Sequence, residues 1–296
     1  MEIATRCAVC DSYGNSNVVY PSTVDADSFT VEVFSARRLP DRRHYQWVSC
    51  KSCGLYRSDP ISDANLNELY RISTFDYSGE VHGLKNSYRK LVSKANITNY
   101  DLLVEIGGGN GFFLEEALSM GFKQVLEIEP SSNAHQNAPD SLKPFFSIEA
   151  LRPGLVENNS AEIVAMFHVL DHLPDPKTSL KIVHAMLKSK GSVCLAVHNV
   201  NSISAKILRD RSPIFDVEHT FLFSKTTLKQ LLEESGFQNI KIGHYKNSYS
   251  LAYLLHLMPI RKSLKLRILK SQIGELLYSI RLTVPLGNMW AVAERI

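Results

Sequence analysis

Leu102-Leu103-Val104-Glu105-Ile106-Gly107-Gly108-Gly109-Asn110-Gly111-Phe112-Phe113-Leu114 moves from a short apolar run through a glycine cluster into helical spacing. The pattern predicts a buried strand, a tight turn and a helix start. Glycine is required where the backbone turns sharply and approaches a ligand with no Cβ in the way, and the free N–H groups of a helix start then face that ligand.

Downstream the chain alternates. A helix should run to about Met120, with Gly121 as its C-terminal stop, and Gln124–Glu129 reads as the next strand, closing on an acid before Pro130. A carboxylate at that strand end accepts hydrogen bonds from both ribose hydroxyls of a nucleoside lying across the sheet edge. Glu127 and Glu129 compete for the role, and terminal position favours Glu129. A short strand near Phe145-Phe146, a strand at Ile163–Phe167, a helix from Pro176 to Leu187 and a strand at Val193–Val197 follow. Repeated βα units predict an α/β fold, a doubly wound and mainly parallel sheet with its ligand at the strand C-termini.

The bulk numbers allow this. The 296 residues suffice for one large domain and a smaller one, and 44% hydrophobic with 21% charged residues is ordinary for a globular protein and does not indicate disorder. A net charge of +3 gives no basic field for DNA. The first residues carry no apolar signal segment, and no uncharged run reaches about 18 residues, so a cytoplasmic protein is expected, with its five cysteines reduced.

Ahead of the sheet, Cys7-Ala8-Val9-Cys10 and Cys50-Lys51-Ser52-Cys53 form two C-x-x-C pairs 39 residues apart. Cys7, Cys10, Cys50 and Cys53 can close a tetrahedral thiolate site for a structural Zn2+. The alternating stretches Phe29–Phe34 and Tyr45–Val48 read as strands of a zinc ribbon over residues 1–60, a unit too small for much core, to which zinc adds folding free energy on the order of 10 kcal/mol. A redox C-x-x-C is the alternative, but it sits in a βαβ context and is not doubled. Cys194, within Val193–Val197, reads as a core residue. Residues 61–100 read as a helical bridge, Asp63 capping its first helix, and Tyr70, Phe75, Tyr77 and Tyr88 either cover a cleft or pack between modules.

Glycines at 107, 109 and 111 leave the nucleotide undecided, because the third glycine of a dinucleotide fingerprint would fall at Phe112. Across residues 85–296, however, the chain resembles the class I S-adenosylmethionine-dependent methyltransferases in four ordered blocks: Glu105–Gly111, Glu129-Pro130-Ser131, Phe167–Pro176 and Ser235-Gly236-Phe237. The resemblance implies a Rossmann-like seven-stranded methyltransferase sheet over residues 101–296. Glu105, Gly107, Gly108, Gly109, Gly111, Glu129, Pro130, Phe167 and His168 would then hold S-adenosylmethionine. It also implies a last strand at Asn288–Arg295, antiparallel beside the sixth, after a helical insertion at about 249–282. In that insertion Arg261, Lys262, Lys265, Arg267 and Lys270 form either a solvated basic face or, over residues 251–270, a peripheral membrane contact.

Methyl transfer from a sulfonium needs the acceptor at attack distance and a base for its proton. His219, in Asp216-Val217-Glu218-His219-Thr220-Phe221-Leu222-Phe223-Ser224, is the candidate, with Glu218 to bind a hydroxyl or tune the imidazole. This block is similar to one in the sugar C-methyltransferases, which also carry two N-terminal cysteine pairs and a histidine at the place of His172. By that resemblance His219, Glu218 and His172 line the acceptor site. Those enzymes have tyrosine where Asp216 stands and a further C-terminal domain, so the expected acceptor broadens to a small hydroxylated, carbohydrate-related molecule. His168 and His172 are read as separate, one at a strand end and one past a turn, and not as a metal pair. His198 is a lesser candidate in the same cleft.

Two rivals stand beside this reading. An RNA methyltransferase would use the basic residues Arg37, Arg38, Arg42, Arg43 and Lys51, but residues 167–176 lack an N-P-P-Y-like motif and Cys194 lies mid-strand. A non-catalytic protein that keeps the cofactor fold is the other.

Overall fold

The computed structural model describes residues 2–24, 43–62, 71, 81–245, 247–258, 260–284 and 287–296. The Phe29–Phe34 strand, the Asp63 cap, Tyr70, Phe75, Tyr77, Arg37, Arg38 and Arg42 lie outside them.

The N-terminal strands are β1 (Glu2–Ile3), β2 (Ser16–Tyr20), β3 (Trp47–Cys50), β4 (Tyr56–Ser58) and β5 (Ile61–Ser62). Helix α1 (Val81–Val92) leads into β6 (Leu102–Ile106), α2 (Phe112–Ser119), β7 (Gln124–Ile128), α3 (Ser132–Gln136), β8 (Phe146–Ser147), β9 (Ala161–Phe167), α4 (Pro176–Met186) and β10 (Leu187–His198). After α5 (Ile203–Leu208) come β11 (Phe221–Leu222), α6 (Lys225–Glu234), β12 (Phe237–His244), β13 (Asn247–Ser250), α7 (Leu251–Leu257), α8 (Lys262–Leu269), α9 (Gln272–Ser279), β14 (Arg281–Val284) and β15 (Asn288–Arg295).

Seven strands form the central sheet in the order β12-β15-β10-β9-β6-β7-β8. β6, β7, β8, β9 and β10 run parallel, and β15 enters antiparallel between β10 and β12. This is the seven-stranded arrangement expected of a Rossmann-like methyltransferase sheet. Every residue of β9 is buried, as a central strand covered on both faces demands. Caps confirm the helix starts: Asp175 accepts from Thr178 N–H, and Ser224 forms a reciprocal capping box with Thr227. Gly121, with φ 101°, follows α2 as its left-handed stop.

The N-terminal sheet is not self-contained. Its order is β11-β4-β3-β2, so Phe221 and Leu222 from the far side of the chain pair with Arg57 and Tyr56. Its cysteine loops share one apolar core with β9, β10 and β15. Tyr88 of α1 is buried, stacked 4.0 Å from the Phe167 ring, which takes the packing side of the alternative left open for it.

The insertion departs from an all-helical expectation: β13 and β14 pair antiparallel and close it at its base. Lys265, expected on a basic face, is buried, whereas Arg261, Arg267 and Lys270 are exposed. Among the described residues no helix is long and apolar enough to cross a membrane.

Candidate functional site

The C-terminal ends of β6, β7, β9 and β10 share one edge of the sheet, and the chemistry-bearing side chains gather there. Gly107, Gly109 and Gly111 all adopt left-handed φ values, 70°, 65° and 74°, that a side chain would strain. Gly108 is constrained by space instead: a Cβ there would lie 2.3 Å from Glu127 Oε2 and 2.5 Å from Glu105 Cδ.

Under this turn three acids converge. Gly108 N–H donates to Glu127 Oε1 (2.7 Å), while Gly109 N–H and Ser131 N–H donate to Glu129 Oε2 (3.1 Å) and Oε1 (2.9 Å). All three carboxyls are buried. Burial pushes Glu105 up to about 8 and Glu129 up to about 7, and raises Glu127 well above the carboxylate range, with Glu105 and Glu129 adding repulsion. Glu105 Oε2 and Glu127 Oε2 have no hydrogen-bond partner. Glu127, the loser of the sequence comparison, therefore belongs to the same cradle as Glu129.

Beyond β9 the chain turns through His168, φ 58°, whose N–H donates to Ala196 O. Val169 then lies over the glycine turn, where a Cβ on Gly107 would meet its Cγ2 at 2.6 Å. The next turn places Asp171, fully buried, at the centre of four imidazoles. Its carbonyl accepts from Thr220 N–H (2.9 Å) and Phe221 N–H (3.1 Å). Its Oδ2 accepts from the N–H (3.3 Å) and Nδ1–H (2.5 Å) of His198. His172 Nε2 stands 3.9 Å from Oδ1. His219 donates Nδ1–H to Ile214 O at 2.8 Å, which leaves Nε2 as its lone-pair nitrogen. The His219 ring is 4.7 Å from that of His172 and 4.5 Å from that of His198, and His168 is 5.0 Å from His198.

Burial opposes charge on Asp171, yet His198, His172 and His219 around it hold its carboxyl well below the usual range. Burial lowers His172 and lowers His219 strongly, disfavouring a charge on either ring. Asp216 closes the turn that carries the pair: its Oδ1 accepts from Glu218 N–H and its carbonyl from His219 N–H. Phe167 packs its ring against Tyr88 and Phe113.

At the other pole, Cys7 Sγ lies 3.4 Å from Cys53 Sγ and Cys10 Sγ 3.4 Å from Cys50 Sγ, all four sulfurs within 4.8 Å of one another and none in a disulfide. Burial pushes Cys7 up to about 11 and raises Cys53 as well. Four crowded sulfurs on two matching turns, Asp11 N–H to Cys7 O and Gly54 N–H to Cys50 O, are a donor set suited to Zn2+.

A family described as "Methyltransferase domain" matches residues 82–242, more than half of the chain. The chain belongs to this methyltransferase family. Among curated proteins it is 26% identical over 162 residues to a tRNA U34 carboxymethyltransferase of Helicobacter pylori, covering 51% of this chain and 62% of that protein. It is also 26% identical over 107 residues to a ribosomal RNA small subunit methyltransferase A of a Sulfurihydrogenibium species, covering 35% and 42%. The chain thus spans about half the length of the curated relatives it matches. Among solved structures, the YcgJ protein of Bacillus subtilis aligns with a TM-score of 0.52 at 12% identity, over 71% of this chain and 98% of that one, a likeness of fold.

The cradle of this methyltransferase fits its family's cofactor, S-adenosylmethionine. Glu105 and Glu127 are buried carboxyls able to accept from a ligand, and the cofactor carries an ammonium group and two ribose hydroxyls that can donate. The close passage at Gly108 admits backbone only. A surface hollow of about 480 Å³ lined by Asp101, Lys123 and Lys188 opens at the opposite, N-terminal edge of the strands and is closed by ion pairs of Asp101 with both lysines. It belongs to no part of the site. Asp171 stands directly before His172 in the sequence, but its partners lie on β10 and on the 216–221 loop, which only the fold brings to it.

Proposed function

We propose that this methyltransferase moves the methyl group of S-adenosylmethionine to a hydroxyl of a small, carbohydrate-related acceptor held against the imidazoles around Asp171. The observation that carries this reading is the neighbourhood of the two sites. Val169 touches the glycine turn on one side, and two residues on, Asp171 holds His198. Glu105, Glu127, Glu129 and the backbone of Gly108 and Gly109 bind the donor's polar groups. With the methyl donor bound, the acceptor's oxygen would displace the methyl group from the sulfonium, whose sulfur would keep the bonding electron pair, and His198 Nε2 or His219 Nε2 would take the acceptor's proton. His172 and Glu218 face the acceptor's remaining hydroxyls. Cys7, Cys10, Cys50 and Cys53 hold a structural Zn2+.

Direct test is by calorimetry with S-adenosylmethionine followed by a screen of sugar nucleotides, free sugars and tRNA for methyl uptake. Binding with methylation of a sugar hydroxyl is expected. No binding at millimolar cofactor overturns the donor assignment, and methylation of tRNA alone overturns the small acceptor in favour of an RNA acceptor.

A further inference from the structure

The acceptor side of the cleft contains more donor atoms than proton transfer needs. Asp171 is fully buried, its Oδ2 is taken by His198, and its Oδ1 has no hydrogen-bond partner. An ionised carboxylate oxygen left bare in the interior is costly unless a cation or donor meets it. What faces it is a pair of imidazoles: Asp171, His172 and His219 each offer a ligand atom within 4.8 Å of the others, with His172 Nε2 3.9 Å from Oδ1. His219 is oriented by its Nδ1 contact with the carbonyl of Ile214, which leaves Nε2 as the nitrogen able to ligate, the arrangement by which proteins orient metal-ligating histidines. His198 does the same service for the carboxylate.

We propose that Asp171 Oδ1, His172 Nε2 and His219 Nε2 form a second metal site, for a divalent first-row cation of the Zn2+ or Co2+ type. One carboxylate and two imidazoles are the donors such ions prefer, and three protein ligands leave a coordination position open to the cleft. Bonds of about 2.1 Å would draw the three ligand atoms together from their present spacing. The inference rests on the acceptor meeting this cluster. Its chemical consequence is that an acceptor hydroxyl at the open position becomes more acidic before it attacks, and the proton then goes to His198, which is outside this set of ligands.

The test is metal stoichiometry on the full chain, with the thiolate site loaded. After incubation with excess Zn2+ and gel filtration, elemental analysis should give two zinc per wild-type chain and one in His172→Asn and in His219→Asn. Loading with Co2+ should give visible bands, without sulfur-to-metal charge transfer, that both variants lose. Zn2+ should raise the melting temperature of the wild type above that of its single-zinc form and leave the variants where they are. One zinc per wild-type chain, or two in both variants, overturns the site. These readouts need no acceptor, so a bound second metal without methylation of any hydroxyl would fault the acceptor reading alone, and methylation by a one-zinc enzyme would fault this inference alone.

Discussion

Asp171 Oδ2 and His198 Nδ1 lie 2.5 Å apart, a bond that ties the turn after the fourth parallel strand of the chain to the end of the fifth. The carbonyl of Asp171 meanwhile receives the N–H groups of Thr220 and Phe221. One residue therefore joins three segments of the proposed acceptor wall, and with Nδ1–H donated to it the Nε2 of His198 is the nitrogen left to accept a proton.

Asp171→Asn should leave cofactor binding within about twofold and lower kcat about 100-fold or more, the scale of general-base catalysis. An amide can keep one hydrogen bond but supplies no negative charge to support an imidazolium. Steady-state kinetics beside cofactor calorimetry check this. Equal kcat in the variant would remove the Asp171–His198 pair from proton transfer.

The acids beneath the glycine turn make the cofactor-free protein pH-sensitive. Glu105, Glu127 and Glu129 have folded pKa values raised above the ordinary carboxylate range, to about 8 for Glu105 and about 7 for Glu129. A raised folded value means that the folded state holds more protons, so stability falls as pH rises from about 4.5 through about 8. Melting temperature without cofactor should drop by about 5 °C or more between pH 5.5 and 8. Glu105→Gln should flatten the slope. Binding of the cationic cofactor near pH 7 should release protons, read as a dependence of calorimetric enthalpy on buffer.

Gly108→Ala tests the cradle sterically. The new methyl would sit 2.3 Å from Glu127 Oε2, and the buried acids have little room to withdraw. A cost of about 1–3 kcal/mol to the fold and at least about tenfold weaker cofactor binding, its equivalent of 1.4 kcal/mol, are expected. Wild-type affinity would show that the turn moves freely, contrary to the packing described.

What the sequence made legible follows from how local each signal was. The glycine turn, the strand-end acid, the alternation of β and α and the place of the last strand depend on short patterns, and the structure reproduces them from Leu102 to Arg295. The candidate bases are less legible. His219 stands in a suggestive motif, yet its ring is buried and held by Ile214, while His198, ranked lower, has the carboxylate partner. Residues 171 and 198 are separated by a helix and a strand, and no local spacing announces their pairing. The same holds for β11: Phe221-Leu222 reads as part of a loop before a helix, and only the long-range ladder to β4 makes it the edge of the N-terminal sheet.

That ladder links the four-cysteine cluster to the proposed acceptor site. Ser58 Oγ donates to His219 O (3.0 Å), Ser58 N–H to Thr220 O (2.9 Å), and the buried Arg57 ties β4 to Thr5 and Asp59. Cys50 ends β3, and Cys53 leads directly into β4, so loss of the thiolate site loosens the strand on which the 216–221 loop leans. Zinc removal by a chelator, or Cys50→Ser, should lower the melting temperature and raise the acceptor KM or abolish turnover. S-adenosylmethionine affinity should change less, because the acids and the glycine turn sit on β6 and β7, away from that sheet. Calorimetry and methyl-transfer kinetics on the zinc-free protein separate the two effects. Unchanged turnover with zinc gone would show that the N-terminal sheet holds the His219 loop without its metal.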